Sequence, residues 1–210
     1  SSAAARLCGL LAAAALDGWK TLSFDEAVAR AAVLEGHPDN AVPAAYGGLR
    51  SVLMDGGVPL HVLWPVPKGL AVALCVPDYE AAPPKMRAAL PKTVPLRDAS
   101  ANAARVAHLL ACLKDGRLGE LKAAMADALH QPYRAKHLPG FRQAVAAAED
   151  AGAFGAALSG SGSTVLAFCP AGRAQARVGA AMARAYARLG RKATPLSVSV
   201  DQTGAQVERR

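Results

Sequence analysis

Apolar and polar positions recur along the chain with two different periods, which predict a mixture of helices and strands. The small apolar residues and leucines of residues 7–16 predict a first helix. Ser23, followed three positions later by Glu26, has the form of a capping box and predicts the start of a second helix, which a glycine at position 36 would end. Two apolar segments around Asp55-Gly56-Gly57 then predict a β-hairpin over residues 47–66.

The second part of the chain has a different order of elements. Pro65 and Pro67 mark a boundary, which predicts one domain over residues 1–67 and another over 68–210. The predicted order in the second domain is strand, three helices, two strands, helix and strand, placed at residues 70–76, 106–113, 118–129, 141–151, 155–158, 164–169, 174–189 and 196–200. This is the order of the split βαβ, ferredoxin-like motif, so we predict an α+β fold.

Composition places the chain among globular proteins. Hydrophobic residues make up 52% and charged residues 19%, while aromatic residues reach only 5%, so the core must consist mainly of alanine, leucine and valine. The formal charge of +8 is compatible with a nucleic acid, an anionic surface or a small anionic substrate. Because the basic residues are scattered and do not alternate with aromatic ones, we expect no nucleic-acid binding, and a nucleotide substrate accounts for the charge.

Cysteine spacing and hydropathy restrict the cellular setting. Cys8, Cys75, Cys112 and Cys169 lie far apart, without the short spacing of a zinc or redox site, which predicts reduced thiols in a cytoplasmic protein. The apolar segment of residues 3–16 is too short to span a bilayer and ends without a small-residue cleavage site. We therefore expect no membrane association.

Two segments in the first domain carry candidate chemistry. Ser1-Ser2-Ala3 precedes the first helix, where unpaired backbone N–H groups and the helix dipole favour a phosphate, although an ordinary serine N-cap explains the same residues. Glu35-Gly36-His37-Pro38-Asp39-Asn40 crowds polar groups where the second helix stops. Glu35 offers the hard oxygen ligand that Mg²⁺ prefers, and the alternative is a solvated turn.

Two further segments lie in the second domain. Residues 158–164 read Leu-Ser-Gly-Ser-Gly-Ser-Thr, where glycines let the backbone approach a ligand, or where the segment serves only as a hairpin connection. Arg134 has a guanidinium group that can fork onto a carboxylate, or it is a surface arginine.

Together the serine pair, the acidic loop and the glycine hairpin resemble the three sequence blocks of the GHMP small-molecule kinases, and among them the homoserine kinase family. The likeness continues through residues 41–49, 85–91 and 129–140 and covers nearly the whole chain. It implies a two-domain α+β fold, with part of a ribosomal-S5-like nucleotide-binding domain over 1–67 and the ferredoxin-like C-terminal domain over 68–210. The implied reaction is ATP- and Mg²⁺-dependent phosphorylation of the side-chain hydroxyl of L-homoserine to O-phospho-L-homoserine, in threonine biosynthesis.

The resemblance also implies a role for each candidate residue. Asp39 and Asn40 would hold homoserine and its hydroxyl at the reacting position, with positioning and charge stabilisation carrying the rate. Glu35 and Ser2 would bind the metal. The substrate would contact His37, Arg87 and Arg134. ATP would contact Ser1, Ser2, Ala3, Ser159, Gly160, Ser161 and Gly162.

The chain departs from the family pattern at three places. The family loop ends in Gly-Leu-Gly-Ser-Ser-Ala, of which only Ser-Ser-Ala is present, so we expect an N-terminally truncated chain that is a poor kinase or none by itself. Pro83 stands where the family usually has threonine, and Ser163 where it usually has proline. A kinase of another small alcohol, an inactive paralogue and a non-catalytic amino-acid-binding module therefore stay open, as does a homodimer.

Overall fold

The computed structural model describes residues 2–208, which form two compact units. Unit 1 contains the chain up to Val66 together with the residues from Val200 onward, and unit 2 is Pro67–Ser199. The division at Val66 lies one residue from the predicted boundary, whereas the C-terminal residues belong to unit 1 and not to the second domain in which we placed them. The nature of the two units as a nucleotide-binding and a C-terminal kinase domain stays a prediction.

The described residues of unit 1 form three helices and a hairpin. The predicted helices and the predicted hairpin are present, and the short helix after the acidic loop was not predicted. The bounds are α1 Ser2–Leu16, α2 Phe24–Glu35, α3 Ala41–Tyr46, β1 Leu49–Asp55 and β2 Val58–Trp64. The core that joins the helices is built from small side chains, mostly alanine, so the helix axes can approach closely.

Helix α2 is fixed at both ends by residues that the sequence pattern identifies. The hydroxyl of Ser23 accepts the backbone N–H of Glu26 at 3.3 Å, and the Glu26 carboxylate accepts the N–H of Ser23 at 2.8 Å. The hydrogen bonds that the Glu26 carboxylate accepts from the backbone N–H and the hydroxyl of Ser23 hold its pKa below the ordinary value. Gly36 ends the helix in the left-handed conformation, with φ of 82°. The capping box is therefore confirmed, and Gly36 determines where the helix ends and the acidic loop begins.

The C-terminal residues are held against the end of α3. The N–H of Gly48 donates to the carbonyl of Asp201 at 2.6 Å, and that of Ala205 to the carbonyl of Ala45 at 3.0 Å. A Cβ added to Gly204, whose φ is +71°, would lie 2.3 Å from the carbonyl oxygen of Ala45. Only glycine allows this close approach of two backbone segments.

Unit 2 contains a four-stranded antiparallel sheet with the strand order β4-β5-β3-β6. This is the strand order of the ferredoxin-like motif, and the predicted α+β class is confirmed. The elements are β3 Leu70–Pro77, α4 Pro83–Ala88, α5 Leu96–Asp115, α6 Leu121–Ala124, α7 Gln131–Arg134, α8 Phe141–Asp150, β4 Gly155–Leu158, β5 Val165–Pro170, α9 Arg173–Ala187 and β6 Ala193–Val198.

The core of unit 2 lies between the sheet and the helices α8 and α9. Alternate residues of β5, namely Val165, Ala167 and Cys169, are fully buried, as expected for a sheet with one covered face. Tyr186 of α9 is also fully buried, and among residues 2–208 its hydroxyl has no partner at full hydrogen-bond geometry, although it interacts with the phenol of Tyr79. Burial raises the pKa of that phenol, so the tyrosine stays neutral.

The helix predicted over 118–129 is wrong. The chain instead forms a 3-10 turn over Leu118–Glu120 and a single α-helical turn, and it leaves the helical conformation before Asp127. The Asp127 carboxylate accepts the backbone N–H groups of Leu129, His130 and Gln131 at 3.0, 2.8 and 2.5 Å. An aspartate that binds the following backbone favours a cap over a continuing helix, so a new short helix, α7, starts here.

Throughout the stretch from 2 to 208, no helix combines enough length with enough apolar character to cross a bilayer.

Candidate functional site

The predicted metal ligands of unit 1 lie in direct contact. The hydroxyl of Ser2, at the start of α1, donates to Oε2 of Glu35, at the end of α2, at 3.0 Å. The two residues are 33 positions apart, and the packing of α1 on α2 brings these helix ends together. The pair places a hydroxyl and a carboxylate oxygen beside each other at a helix N-terminus, where backbone N–H groups are unpaired.

Arg6 holds the other oxygen of the same carboxylate. Its Nη1 lies 2.7 Å from Oε1 of Glu35 and also donates to the carbonyl of Leu34 at 2.6 Å. The Glu35 side chain is only 7% exposed, whereas that of Arg6 is 44% exposed. A nearly buried carboxylate needs such a cation, and the arginine leaves Oε2 directed at Ser2. Sequence reasoning missed Arg6, although its place one helical turn after Ser2 puts both on one face of α1.

The first block has two more predicted residues. Ser1 lies outside the described residues. Ala3 has a buried side chain in the helical core of unit 1. Any contact between Ala3 and a phosphate must therefore use its backbone N–H, which is one of the unpaired donors of the first helical turn.

The loop between α2 and α3 orders its own polar side chains. Nδ1 of His37 lies 2.5 Å from Oδ1 of Asp39, and the amide of Asn40 donates to the same oxygen at 3.5 Å. Asn40 occupies the N-cap position of α3 without capping it through its side chain. The Asp39 side chain is 68% exposed. The three predicted residues thus form a connected, solvent-facing group that can meet a small polar substrate.

A second polar group, at the ends of α2 and α3 that lie away from the loop, was not predicted. The Tyr46 hydroxyl donates to Oδ1 of Asp25 at 2.5 Å, and Arg50 donates to the carbonyls of Gly47 and Tyr46 at 2.6 and 3.1 Å. Burial raises the pKa of Tyr46, and the Asp25 carboxylate adds to this effect. These contacts tie α2, α3 and β1 into one frame. Their sequence separations of three to 21 residues follow no motif.

In unit 2, Arg134 contacts the glycine hairpin. Its Nη1 donates to the carbonyl of Gly160 at 3.0 Å and its Nε to the carbonyl of Met86 at 3.4 Å. The structure therefore brings two predicted groups together, the substrate-binding arginine and the hairpin. Arg87, the other predicted arginine, directly follows Met86 and is exposed.

The electrostatics at Arg134 favour an anion. Burial lowers the pKa of Arg134, and the positive charge of Arg87 lowers it further, while Asp127 opposes both effects. Arginine stays charged despite such a shift, so the partly buried guanidinium of Arg134 carries a positive charge near that of Arg87. A carboxylate or a phosphate that neutralises them lowers the free energy of this arrangement.

Asp127 is the functional support that the sequence analysis missed. Besides the backbone donors at the start of α7, it accepts the side-chain amide of Asn102 at 2.8 Å. Burial would raise the pKa of Asp127, but the backbone hydrogen bonds outweigh this effect and hold the pKa below its ordinary value. The charged carboxylate fixes α7, which carries Arg134 at its end. A lone aspartate in an apparently helical stretch was the only sequence signal.

The hairpin over 158–164 is a tight turn in which two backbone N–H groups stay unpaired among the described residues. The N–H of Ser159 donates to the carbonyl of Thr164 at 2.9 Å and that of Gly162 to the carbonyl of Ser159 at 3.0 Å. Within the part of the chain that the structure describes, the N–H groups of Gly160 and Ser161 make no hydrogen bond. Adjacent unpaired N–H groups in a glycine-rich turn form an anion-binding concavity.

Pro83 and Ser163, the two residues of unit 2 that differ from the family pattern, line one surface cleft together with Tyr79 and Gly162. Pro83 is the first residue of α4, where a proline is favourable because its missing N–H has no helical partner. The hydroxyl of Ser163 donates to the carbonyl of Tyr79 at 2.9 Å. Serine at position 163 therefore ties the hairpin to the segment before α4.

The sequence matches known proteins along almost its full length. The family profile described as "GHMP kinases C terminal" matches residues 109–188. Homoserine kinase of Moorella thermoacetica is 42% identical over 207 residues, which are 99% of this chain and 69% of that protein. Homoserine kinase of Thermus thermophilus is 45% identical over 172 residues, which cover 82% of this chain and 58% of the relative.

A solved structure gives the same result. The crystal structure of homoserine kinase from Cytophaga hutchinsonii superposes with a TM-score of 0.88 at 30% identity, covering 97% of this chain and 66% of that one. The chain thus spans between about three fifths and two thirds of the length of these relatives. The 42% identity over 99% of the chain and the shared fold lead to one conclusion: this chain belongs to the homoserine kinase family.

Proposed function

We propose that the protein containing this chain transfers the γ-phosphoryl group of ATP to the side-chain hydroxyl of L-homoserine, which yields O-phospho-L-homoserine and ADP. The observation that carries this proposal is the family membership, with 42% identity across 99% of the chain. The polar groups described above supply, within each unit, the contacts that such a reaction requires. Phosphoryl transfer depends chiefly on holding the reactants and stabilising charge, and less on covalent help from side chains.

The residues at the start of α1 fit a magnesium ion. Ser2 and Glu35 present a hydroxyl and a carboxylate oxygen 3.0 Å apart, and Mg²⁺ prefers one or two carboxylates together with phosphate oxygens and water. When bound, Mg²⁺ offsets negative charge on the phosphates. Arg6 orients the carboxylate of Glu35 and leaves Oε2 for the metal, because it occupies only the other oxygen. The N–H groups of Ser2 and Ala3 are available to phosphate oxygens.

The glycine hairpin of unit 2 supports phosphate binding in the same way. The resemblance implies ATP contacts at all four residues from Ser159 to Gly162. The free N–H groups of Gly160 and Ser161 suit phosphate oxygens. Ser159 and Gly162 use their own N–H groups for hydrogen bonds inside the turn, so we assign them the role of shaping it. Arg134 buttresses this turn through the carbonyl of Gly160.

Homoserine is an amino acid with a free carboxylate and ammonium group, which matches the charges available in each unit. We assign the carboxylate to Arg134 and Arg87, whose mutual repulsion an anion relieves. We assign the ammonium group and hydroxyl to the loop of His37, Asp39 and Asn40. Asp39 can accept hydrogen bonds from either group and Asn40 can orient the hydroxyl, so that these residues position the acceptor without acting as a strong base.

The test is a coupled ADP-release assay on the full-length protein. We expect Mg²⁺-dependent turnover with L-homoserine and little or none with mevalonate or other hydroxyl acceptors. If the protein releases no ADP with homoserine or with any other acceptor, and binds a free amino acid but no nucleotide, the result would instead support a non-catalytic module. Faster turnover of another alcohol would support a kinase of different specificity. We further propose a role in threonine biosynthesis in the cytoplasm.

The metal assignment has its own test. Glu35→Gln keeps the shape of the side chain but removes its charge, so we expect a higher Mg²⁺ concentration for half-maximal rate, by about tenfold or more for a lost ligand. Glu208→Gln, which removes an exposed carboxylate near the end of the chain, is the matched control. Equal Mg²⁺ dependence in both variants would contradict the role of Glu35.

A further inference from the structure

The C-terminal end of α5 carries a cluster of three side chains that the kinase reaction does not use. His108 and Cys112 lie four residues apart on one face of α5, and Glu120 belongs to the 3-10 turn that follows the helix. Nε2 of His108, Sγ of Cys112 and a carboxylate oxygen of Glu120 all lie within 4.8 Å of one another. This is the only such group of three among residues 2–208.

The backbone explains why these residues meet. Gly116 ends α5 in the left-handed conformation, with φ of 70°, and the N–H of Arg117 bonds back to the carbonyl of Cys112 at 2.9 Å. This reversal returns the chain over the last turns of the helix. Glu120 then lies beside the helix face that carries His108 and Cys112, eight residues after the cysteine.

We propose that His108, Cys112 and Glu120 bind a zinc-class divalent cation. One nitrogen, one sulfur and one oxygen ligand suit Zn²⁺, and a site with three protein ligands leaves a fourth position for water. The histidine and the cysteine already approach the same oxygen of the glutamate. Nε2 of His108 lies 2.8 Å and Sγ of Cys112 lies 3.9 Å from the same oxygen, Oε2 of Glu120.

Small shifts convert this cluster into a tetrahedral site. Zinc bond lengths of about 2.0 to 2.3 Å at tetrahedral angles place ligand atoms about 3.4 to 3.6 Å apart. The nitrogen–oxygen distance of 2.8 Å must therefore widen by about 0.6 Å and the sulfur–oxygen distance of 3.9 Å must shorten by about 0.3 Å. Both changes are within the reach of side-chain rotation, and the nitrogen–sulfur distance, which lies within 4.8 Å, must reach about 3.6 Å in the same way.

The surroundings both support and limit the site. Arg117 donates from Nε and Nη2 to Oε1 of Glu120 at 2.8 and 2.5 Å and thereby orients the carboxylate. Nη2 also lies 2.6 Å from Oε2, so this bond must be given up when Oε2 binds the metal. The positive charge of Arg117 opposes a bound cation, so we expect weaker binding than at a four-ligand structural zinc site. Burial and the neighbouring carboxylates Glu120 and Asp115 raise the pKa of Cys112, and metal binding releases the thiol proton to solvent.

The experiment uses the full-length protein, reduced and freed of metal with a chelator, and Co²⁺ as the spectroscopic probe. We expect one Co²⁺ per chain with a sulfur-to-cobalt charge-transfer band, which Zn²⁺ abolishes. Cys112→Ser should remove the band. His108→Gln and Glu120→Gln should weaken binding by about tenfold or more, because loss of a ligand exceeds the usual loss of an outer partner.

Two features keep this test decisive. The His108 side chain is 43% exposed, so its replacement leaves the core intact even if the buried Cys112 tolerates no change. Cys8→Ser removes the exposed cysteine of α1 and should leave the titration unchanged. Absence of a sulfur band, a band that Cys8→Ser removes, or equal affinity in His108→Gln would each overturn the proposal.

Discussion

The contact between the C-terminal residues and the end of α3 allows a quantitative prediction. In the Gly204→Ala variant the new Cβ meets three backbone atoms, at 2.3 Å from the oxygen of Ala45, 2.5 Å from the nitrogen of Gly47 and 2.7 Å from the carbonyl carbon of Ala45. None of these atoms can rotate away as a flexible side chain can. Gly57 is the matched control, because its φ of +85° is equally left-handed and its Cβ would meet nothing within 4 Å.

The two substitutions share one cost and differ in another. A left-handed alanine costs about 1 to 2 kcal/mol of folding free energy at either position. At Gly204 the segments must also separate by about 1 Å to reach ordinary contact distance. This separation breaks the hydrogen bonds of Ala205 to Ala45 and of Gly48 to Asp201, each worth about 1 kcal/mol net. We therefore expect Gly204→Ala to destabilise unit 1 by about 2 kcal/mol more than Gly57→Ala does.

Tryptophan emission during urea unfolding measures this difference. Both tryptophans of the sequence, Trp19 and Trp64, belong to unit 1, so their emission in this chain reports on the unit that is perturbed. The free energy of unfolding follows from linear extrapolation to zero urea. If Gly204→Ala and Gly57→Ala lose the same free energy, the close backbone approach at Gly204 contributes nothing and the reasoning is refuted.

Three further predictions concern unit 2. In the full-length protein, Arg134→Ala should raise the KM for homoserine by about 10- to 100-fold, the value of a charged hydrogen bond, and the KM for ATP much less; equal increases would contradict carboxylate binding. Asp127→Asn should destabilise the protein at neutral pH. Because the pKa of Asp127 is depressed on folding, its stabilisation is complete above the unfolded pKa of about 3.9 and fades as the pH falls through the lower folded pKa, so urea titrations should show a narrowing difference, and a constant one would refute the sign. Tyr186→Phe should be neutral or stabilising by up to about 1 kcal/mol, since the buried hydroxyl has no geometric partner, and a thermal-melt loss above that size would reveal one.

Local patterns predicted the elements of this fold well where the hydrogen bonds that fix an element join residues close together in the sequence. Ser23 and Glu26 form a cap within one helical turn, and Gly36 ends the same helix, so their chemistry is visible in the sequence. The failed helix over 118–129 shows the limit of this reasoning. Apolar residues recur there with helical spacing. The Asp127 carboxylate accepts hydrogen bonds from the backbone that follows it, and these bonds favour a helix end at this point over a continuing helix.

The candidate site was predictable to the extent that it lies in recognisable blocks. The resemblance implies that Ser2 and Glu35 bind the same metal. It does not predict that Arg6 binds the Glu35 carboxylate, because the sequence around Arg6 does not indicate which helix end this side chain contacts. The same holds for Arg134. Its residue type suggests an anion, but its contact with Gly160 spans 26 positions and exists only after α7 has been placed.

The cysteines show the same limit, because their spacing in the sequence does not reveal the ligand set that the fold brings together. Spacing between cysteines gave no metal motif, since Cys112 has no cysteine partner nearby in the sequence. A cation site needs only converging lone pairs, and two of the three ligand types here are not cysteine. His108 is brought to Cys112 by one helical turn, and Glu120 by a left-handed glycine that reverses the chain. A left-handed turn after a helix thus creates a candidate ligand set that a search for repeated cysteines passes over, because the geometry lies in the backbone reversal and not in the spacing of one residue type.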